Sequence, residues 1–255
     1  DHRVNITNPT PAACTSVGQS GNPNDEVLYT VVPPPTLASI NPQLSCVEQG
    51  DKQFTIDGSD FLRVGGSGGS EPTVTVNNST FQASVVDSSC TDMADVPQKT
   101  EQCSKLTFTI PQGAVAPGDH KVVVTNPTPA DCDSSNSLNL FIKPPPTVAS
   151  VAPSPICTEG NNYAVTIDGS DFLNITGPNA DQPDVTIGGN SVAVTAVRNC
   201  SSTSQSTVET CQTLDVDVPQ GLLLQPGQNT DSQVVVTNPA PAACKYHEPD
   251  SAKDI

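Results

Sequence analysis

Tryptophan is absent, methionine occurs once, and the aromatic residues are limited to six phenylalanines and three tyrosines in 255 residues. A core built from this chain must therefore be packed mainly from Val, Ile and Leu. Lys and Arg are scarce, ten against 27 Asp and Glu, which leaves a formal net charge of −17. That balance argues against nucleic acid as a partner, because phosphate contacts need Lys and Arg; attraction to an anionic membrane surface is disfavoured for the same reason. No apolar run approaches the roughly 20 residues of a membrane span, so direct membrane insertion is not expected. No segment carries a helical apolar period either, and Leu222–Leu224, caught between Gly221 and Pro226, reads as a turn. No CxxC pair has zinc-ligand spacing. No signal peptide begins at Asp1, so the chain reads as a mature or excised segment.

What is present is a repeat. TIDGSDFL runs from Thr55 to Leu62 and recurs letter for letter from Thr166 to Leu173, an identity far beyond chance. Val122–Pro127 and Val234–Pro239 both read VVVTNP, and Val4–Pro9 is a close variant. Each is followed by a cysteine, at Cys14, Cys132 and Cys244. Pro33-Pro34-Pro35-Thr36 recurs as Pro144-Pro145-Pro146-Thr147. Fixed proline φ makes such a triplet a short, stiff spacer, and these mark the module boundaries. Residues 1–32 then read as the terminal strands of a preceding or incomplete module, 33–143 as a complete module, and 144–255 as a module lacking its last strand.

The strand pattern is legible within the modules. Phe54 and Ile56 alternate with Thr55 and Asp57, Val74 and Val76 repeat the pattern, and Leu106, Phe108 and Ile110 form an alternating run that Pro111 ends. Val165 and Ile167, Val185 and Ile187, and Leu214, Val216 and Val218 supply the same positions in the second module. About seven short strands per module with polar outward positions call for an all-β, two-sheet sandwich. The strand-like Val27-Leu28-Tyr29-Thr30-Val31 matches Leu138–Ile142, whereas nothing after Pro239 does. The chain thus carries a surplus final strand at its front and lacks one at its back.

Ile40-Asn41-Pro42, Thr55–Phe61, Ile110-Pro111-Gln112-Gly113 and Val122–Pro127, with their second-module equivalents, resemble the IPT/TIG family of immunoglobulin-like domains over essentially the whole chain. The resemblance implies tandem E-set immunoglobulin-like sandwiches of the kind found in arrays on cell surfaces and in receptor ectodomains. Family members that bind DNA do so beside a basic partner domain, which is absent here.

The nine cysteines recur at matching places in a Thr-, Ser-, Asn- and Pro-rich chain. This reads as a disulfide framework and an extracellular or cell-surface location. Cys90 with Cys103 and Cys200 with Cys211 each bracket a polar loop, and a local bridge there is expected to stabilise by about 3 kcal/mol on loop entropy. For the others two pairings compete. Cys46–Cys132 and Cys157–Cys244 within modules is the simpler and preferred scheme. In an immunoglobulin-like sandwich, however, the first loop and the last hairpin loop lie at opposite ends, which favours a bridge across a junction such as Cys46–Cys244. Under the intramodule scheme Cys14 needs a partner outside the segment.

The paired acidic residues Asp57 and Asp60, and Asp168 and Asp171, are weak calcium candidates; turn acceptors around Gly58 and Gly169 are the preferred reading. Acceptor sequons at Asn5, Asn78, Asn174 and Asn199 are a weak signal in so Asn/Ser/Thr-rich a chain. His2, His120 and His247 sit near polar segment ends with no nucleophile or carboxylate assigned to them by motif. No enzyme activity and no cofactor is expected.

The leading expectation is a non-enzymatic structural or adhesive surface protein. In its sharper form the surplus strand Val27–Val31 completes the open sandwich of the next subunit, making the chain its own partner in a head-to-tail fibre. The rival is a receptor ectodomain that recognises a glycan or protein through the loops Gly65–Gly69 and Asn174–Gln182.

Overall fold

The computed structural model describes residues 2, 3, 9, 11, 28–94, 99–154, 156, 162–222 and 232–246. In order, the strands are β1 (His2–Arg3), β2 (Leu28–Tyr29), β3 (Thr36–Asn41), β4 (Leu44–Ser45), β5 (Lys52–Val64), β6 (Thr73–Val76), β7 (Ser79–Val85), β8 (Cys90–Asp92), β9 (Thr100–Ile110), β10 (Gly118–Thr125) and β11 (Leu138–Ile142). They continue with β12 (Thr147–Ala152), β13 (Tyr163–Ile175), β14 (Asp184–Ile187), β15 (Asn190–Arg198), β16 (Ser201–Ser202), β17 (Val208–Val218) and β18 (Val234–Thr237). No α-helix occurs among the described residues; two short 3-10 turns, Val47–Gln49 and Asp87–Ser89, complete the elements.

Each module is a sandwich whose halves share one strand. In the first, β3, β5, β9 and the second half of β7 form one sheet, and the first half of β7 leads through β6, β10 and β11 to β4 in the other. In the second, β15 plays the part of β7, pairing β14 through Asn190–Val192 and β17 through Ala193–Arg198. Antiparallel pairing with one face inward demands alternation, and the burial follows it. Phe54, Ile56, Leu106, Phe108, Val122 and Val124 fill one core, and Val165, Ile167, Leu214, Val216, Val234 and Val236 fill the other. The rings of Phe54 and Phe108 stack at 5.3 Å.

The repeated octapeptide forms one continuous strand with a two-residue bulge. Asp57 pairs with Lys105 and Phe61 with Cys103, so Gly58-Ser59-Asp60 face the single residue Ser104 across the ladder; Asp168 and Phe172 show the same shift. Glycine is required there, since a Cβ on Gly58 would stand 2.2 Å from the Thr36 carbonyl oxygen, and one on Gly169 1.9 Å from that of Thr147. Asp60 and Asp171 close the bulge in the left-handed region, with φ of 64° and 60°. A short polar side chain tolerates that conformation best after glycine.

At the front of the chain β1 and β2 form a two-stranded antiparallel hairpin, His2 opposite Tyr29. This is the register of His120 opposite Leu140 between β10 and β11. At the back, Tyr246 donates its N–H to the Val236 carbonyl at 2.8 Å, as Ser134 does to Val124. Tyr246 is buried against the second core. Among the described residues no named strand pairs β18 along the edge that β11 takes on β10.

Candidate functional site

The two repeated motifs meet. Asn126 and Asn238, the asparagines of VVVTNP, are 1% and 2% exposed. Each side chain spans the bulge of its own module: Asn126 Oδ1 accepts from the Leu62 N–H at 2.9 Å and its Nδ2 donates to the Asp60 carbonyl at 2.9 Å. Asn238 does the same with Leu173 and Asp171 at 2.9 and 2.8 Å. The bulge thus directs Phe61 and Phe172 into the cores and turns Leu62 and Leu173 toward the end of the sandwich. This pairing of motifs was open to sequence reasoning, because both recur with the same period.

In the second module that end meets the first module. Leu44, Cys46 and Phe141 of the first module pack with Leu173, Val208, Ala242 and Cys244 of the second, each no more than 6% exposed. Cys46 and Cys244 are bonded, 198 positions apart in sequence and with their Cα atoms 5.4 Å apart. The preferred intramodule pairing is therefore corrected for Cys46 and Cys244: the bridge crosses the junction. The reason is topological. β4 runs parallel to the end of β11, Ile142 beside Ser45, and Ile142 faces Gly118 at the start of β10. Cys132 lies beyond the other end of β10, where Asp133 bridges Thr125, so an entire strand separates it from Cys46. Cys132 is a half-buried free thiol; Cys14 and Cys157 lie outside the described residues.

Around this seam the Ser204 hydroxyl donates to Asp119 across the junction, and Lys143 sits 3.9 Å from the same carboxylate. Pro144 and Pro145 are half-buried at this junction, whereas Pro33 and Pro34, before the first module, are exposed. The proline triplet here lies against packed modules and does not act as a free spacer.

The local bridges Cys90–Cys103 and Cys200–Cys211 are formed, with Cα atoms 4.0 and 3.9 Å apart. Each pair brackets the connection between two paired strands, β8 with β9 and β16 with β17. Cys103 lies inside β9 directly opposite Cys90 of β8, and Cys211 lies inside β17 opposite Phe172. The bridges tie β8, and the residue just before β16, to a central strand beside the bulge.

The acidic candidates are occupied by neighbours. Asp57 pairs with Lys105 Nζ at 3.0 Å, Asp60 accepts from Ser59 at 2.6 Å and from Gln102. Asp168 accepts from Thr213 at 2.9 Å and Asp171 from Ser170 at 2.7 Å. Among the described residues the one close trio of metal-ligand types is Cys200, Glu209 and Cys211, two of which are spent in a disulfide. His120 Nε2 lies 2.7 Å from the Ala116 carbonyl oxygen, a structural contact.

The two proposed binding loops differ. Gly65–Gly69 is a tight turn closed by the Val64–Ser70 bridge, and its glycines at positions 65, 66 and 68 take φ of 98°, 73° and 79°. The Asn174–Gln182 segment, with the start of β15, borders an open, mainly polar cleft of about 590 Å³. Asn174 donates to Glu209 at 2.8 Å. The equivalent position in the first module is Arg63, buried and bonded to Glu101 and Asp87 at 2.5 Å each. Those hydrogen bonds raise the Arg63 pKa, and the Arg63 guanidinium holds the Glu101 carboxyl below its ordinary value.

The sequence profile of the IPT/TIG domain family matches residues 35–142 and again 146–246. No curated protein matches the chain. Among solved structures, one similar chain is the SGBP-B of the Bacteroides ovatus mixed-linkage glucan utilization locus, in complex with a mixed-linkage heptasaccharide. The two are 16% identical with a TM-score of 0.23, over 76% of this chain and 36% of that one. At that score no argument about function passes from it to this chain.

Proposed function

The chain belongs to the IPT/TIG domain family, and on that premise we propose that it is a non-enzymatic structural segment of a secreted or cell-surface protein, whose work is to hold neighbouring modules at a fixed distance and angle. The observation that carries this reading is the Cys46–Cys244 bridge over a buried apolar seam. A linker alone would leave tandem modules free to reorient. A second covalent tie, set beside the linker at Lys143 and over the buried seam, restricts that freedom, so the pair behaves as one rod. Three disulfides support an oxidising address. Among the described residues no helix is long and apolar enough to cross a membrane.

The finer form is head-to-tail assembly. The hairpin of β1 and β2 presents a final pair of strands in the register of β10 and β11. Leu28 and Tyr29 of the donor candidate are already paired on one edge, so strand addition uses the other edge. Small-angle scattering of the full chain tests the rod. The expected result is one fixed inter-module arrangement, replaced by a broad distribution in the Cys46→Ser/Cys244→Ser double variant. An equally broad distribution in the unaltered chain would overturn the reading.

A second reading draws on the cleft beside Asn174–Gln182, whose polar lining suits a surface glycan or protein ligand. Binding on a glycan array that survives replacement of this segment by residues 63–71 would count against it.

A further inference from the structure

The cleft beside Asn174–Gln182 has a twin in the first module, and the twin is closed. There Arg63 is buried and bonded to Glu101 and Asp87 at 2.5 Å each, with Glu71 4.0 Å away. Glu71 and Pro72 lie along the outer edge of β7: the Ala83 N–H donates to the Pro72 carbonyl at 3.1 Å, and the Val85 N–H to the Glu71 carboxylate at 3.3 Å. Ala83 and Val85 are buried as a result, at 3% and 7% exposure.

The repeat sets Asn174 at the place of Arg63, Gln182-Pro183 at that of Glu71-Pro72, and Val194 and Val197 at those of Ala83 and Val85. Two residues separate Val194 from Val197 where Ser84 alone separates Ala83 from Val85, so β15 carries a bulge that β7 lacks. A bulge bends its strand and ends local pairing. The ladder of β14 with β15 stops at Val185 opposite Val192, whereas that of β6 with β7 runs one pair further, to Thr73 opposite Gln82. Among the described residues no backbone hydrogen bond joins Gln182 or Pro183 to β15, and Val194 and Val197 are only half-buried. From Ala193 onward β15 pairs with β17 alone.

The negative charge remains while the cation is gone. Glu209 stands opposite Asn174 as Glu101 stands opposite Arg63, and Asp181 and Asp184 line the cleft. Among the described residues none of these three carboxylates forms an ion pair.

We propose that this cleft takes an arginine side chain of a partner protein, presented on an extended segment that lies along the open edge of β15. The inference rests on the second reading of the cleft above and commits it to a protein ligand. The guanidinium enters the place that Arg63 fills in the first module, between Asn174 and Gln182, with Glu209 one hydrogen bond behind Asn174 and Asp181 and Asp184 along the wall. Its planar fork of donors suits carboxylate and amide oxygens set around one point. The free edge of β15 is a template for the backbone of the segment, and Val194 and Val197 give its neighbouring side chains apolar cover.

The blocked peptide acetyl-Thr-Val-Arg-Val-Thr-amide, titrated at low salt into the isotope-labelled full chain, is expected to give saturable amide shifts confined to residues 174–184 and 191–198. The same peptide with Lys in place of Arg should bind about tenfold more weakly, because an ammonium cannot reproduce the fork. Asn174→Arg restores the side chain of the first module and should abolish binding, with circular dichroism unchanged. Asp181→Asn/Asp184→Asn, at two exposed positions, should weaken binding by about tenfold through lost charge complementarity; it keeps the proposal testable if Asn174→Arg fails to fold. Shifts that do not saturate, that map elsewhere, that are equal for the Lys peptide or that persist in Asn174→Arg would overturn the proposal. A glycan bound on the array and lost in Asn174→Arg, with no response to the arginine peptide, would sink this inference and leave the second reading standing. No binding of either ligand would sink both.

Discussion

The first and second modules build the same end loop from different residues around one conserved pattern, and they use it differently. In the second module the loop holding Ala242 and Cys244 is sealed against Leu44, Cys46 and Phe141; in the first, Ala130 and Cys132 remain half-buried. Because the loop geometry is the same, the difference comes from the presence of a neighbour and not from the fold of the module. The junction is therefore a property of two modules together. At the junction the second module supplies a head, formed by the bulge and the VVVTNP loop, and the first a tail, formed by β4 and the end of β11.

The largest expected effect comes from cutting the tie between head and tail. The Cys46–Cys244 bridge closes 198 residues, a ring worth about 5 kcal/mol on loop entropy. Cys46→Ser/Cys244→Ser should split one calorimetric unfolding transition into two, one for each module; a single unshifted transition would show that the seam holds without the bond.

Next come the asparagines that pin the bulges. Asn126→Ala and Asn238→Ala each leave a buried N–H and a buried carbonyl unpaired, a loss of about 3 kcal/mol. Denaturant unfolding should register the two losses in their respective modules and at similar size. A large effect in only one would break the equivalence of the two bulges. Gly58→Ala and Gly169→Ala press a Cβ onto the Thr36 and Thr147 carbonyls and should cost about 2 kcal/mol each, as overpacking does.

The smallest effect separates the modules by pH. Glu101, hydrogen-bonded to Arg63, has its carboxyl held below the ordinary value of 4.5. A depressed carboxyl contributes stability that is fully present above its unfolded pKa and is lost as pH falls through the folded one. The second module has the uncharged Asn174 in place of Arg63. In the Cys46→Ser/Cys244→Ser variant, whose modules unfold separately, acid titration below about pH 4.5 should thus lower the midpoint of the first module more steeply than that of the second, and Glu101→Gln should flatten that difference. Parallel decline of both modules with Glu101 intact would remove the assignment.

Much of this was legible in the chain. Val, Ile and Phe at alternate positions from Phe54 to Ile110 read as half-buried strands because the side-chain period of a strand is two, and they are buried as that period requires. β7 and β15 were not legible, because each crosses from one sheet to the other and changes partner partway along its length. The shared period of the two motifs hints that they meet, but nothing local reveals that the Asn126 amide reaches back more than sixty positions to Leu62.

The sequence by itself determined the period, the family, the strand alternation and the positions of the cysteines, because each of these is written in local pattern and spacing. Only the tertiary structure decided which cysteines bond. Cys46 and Cys132 belong to one repeat but lie at opposite ends of β10, while Cys46 and Cys244 belong to different repeats and have their Cα atoms 5.4 Å apart. Disulfide pairing follows distance in space, and that distance is set by how one sandwich stacks on the next.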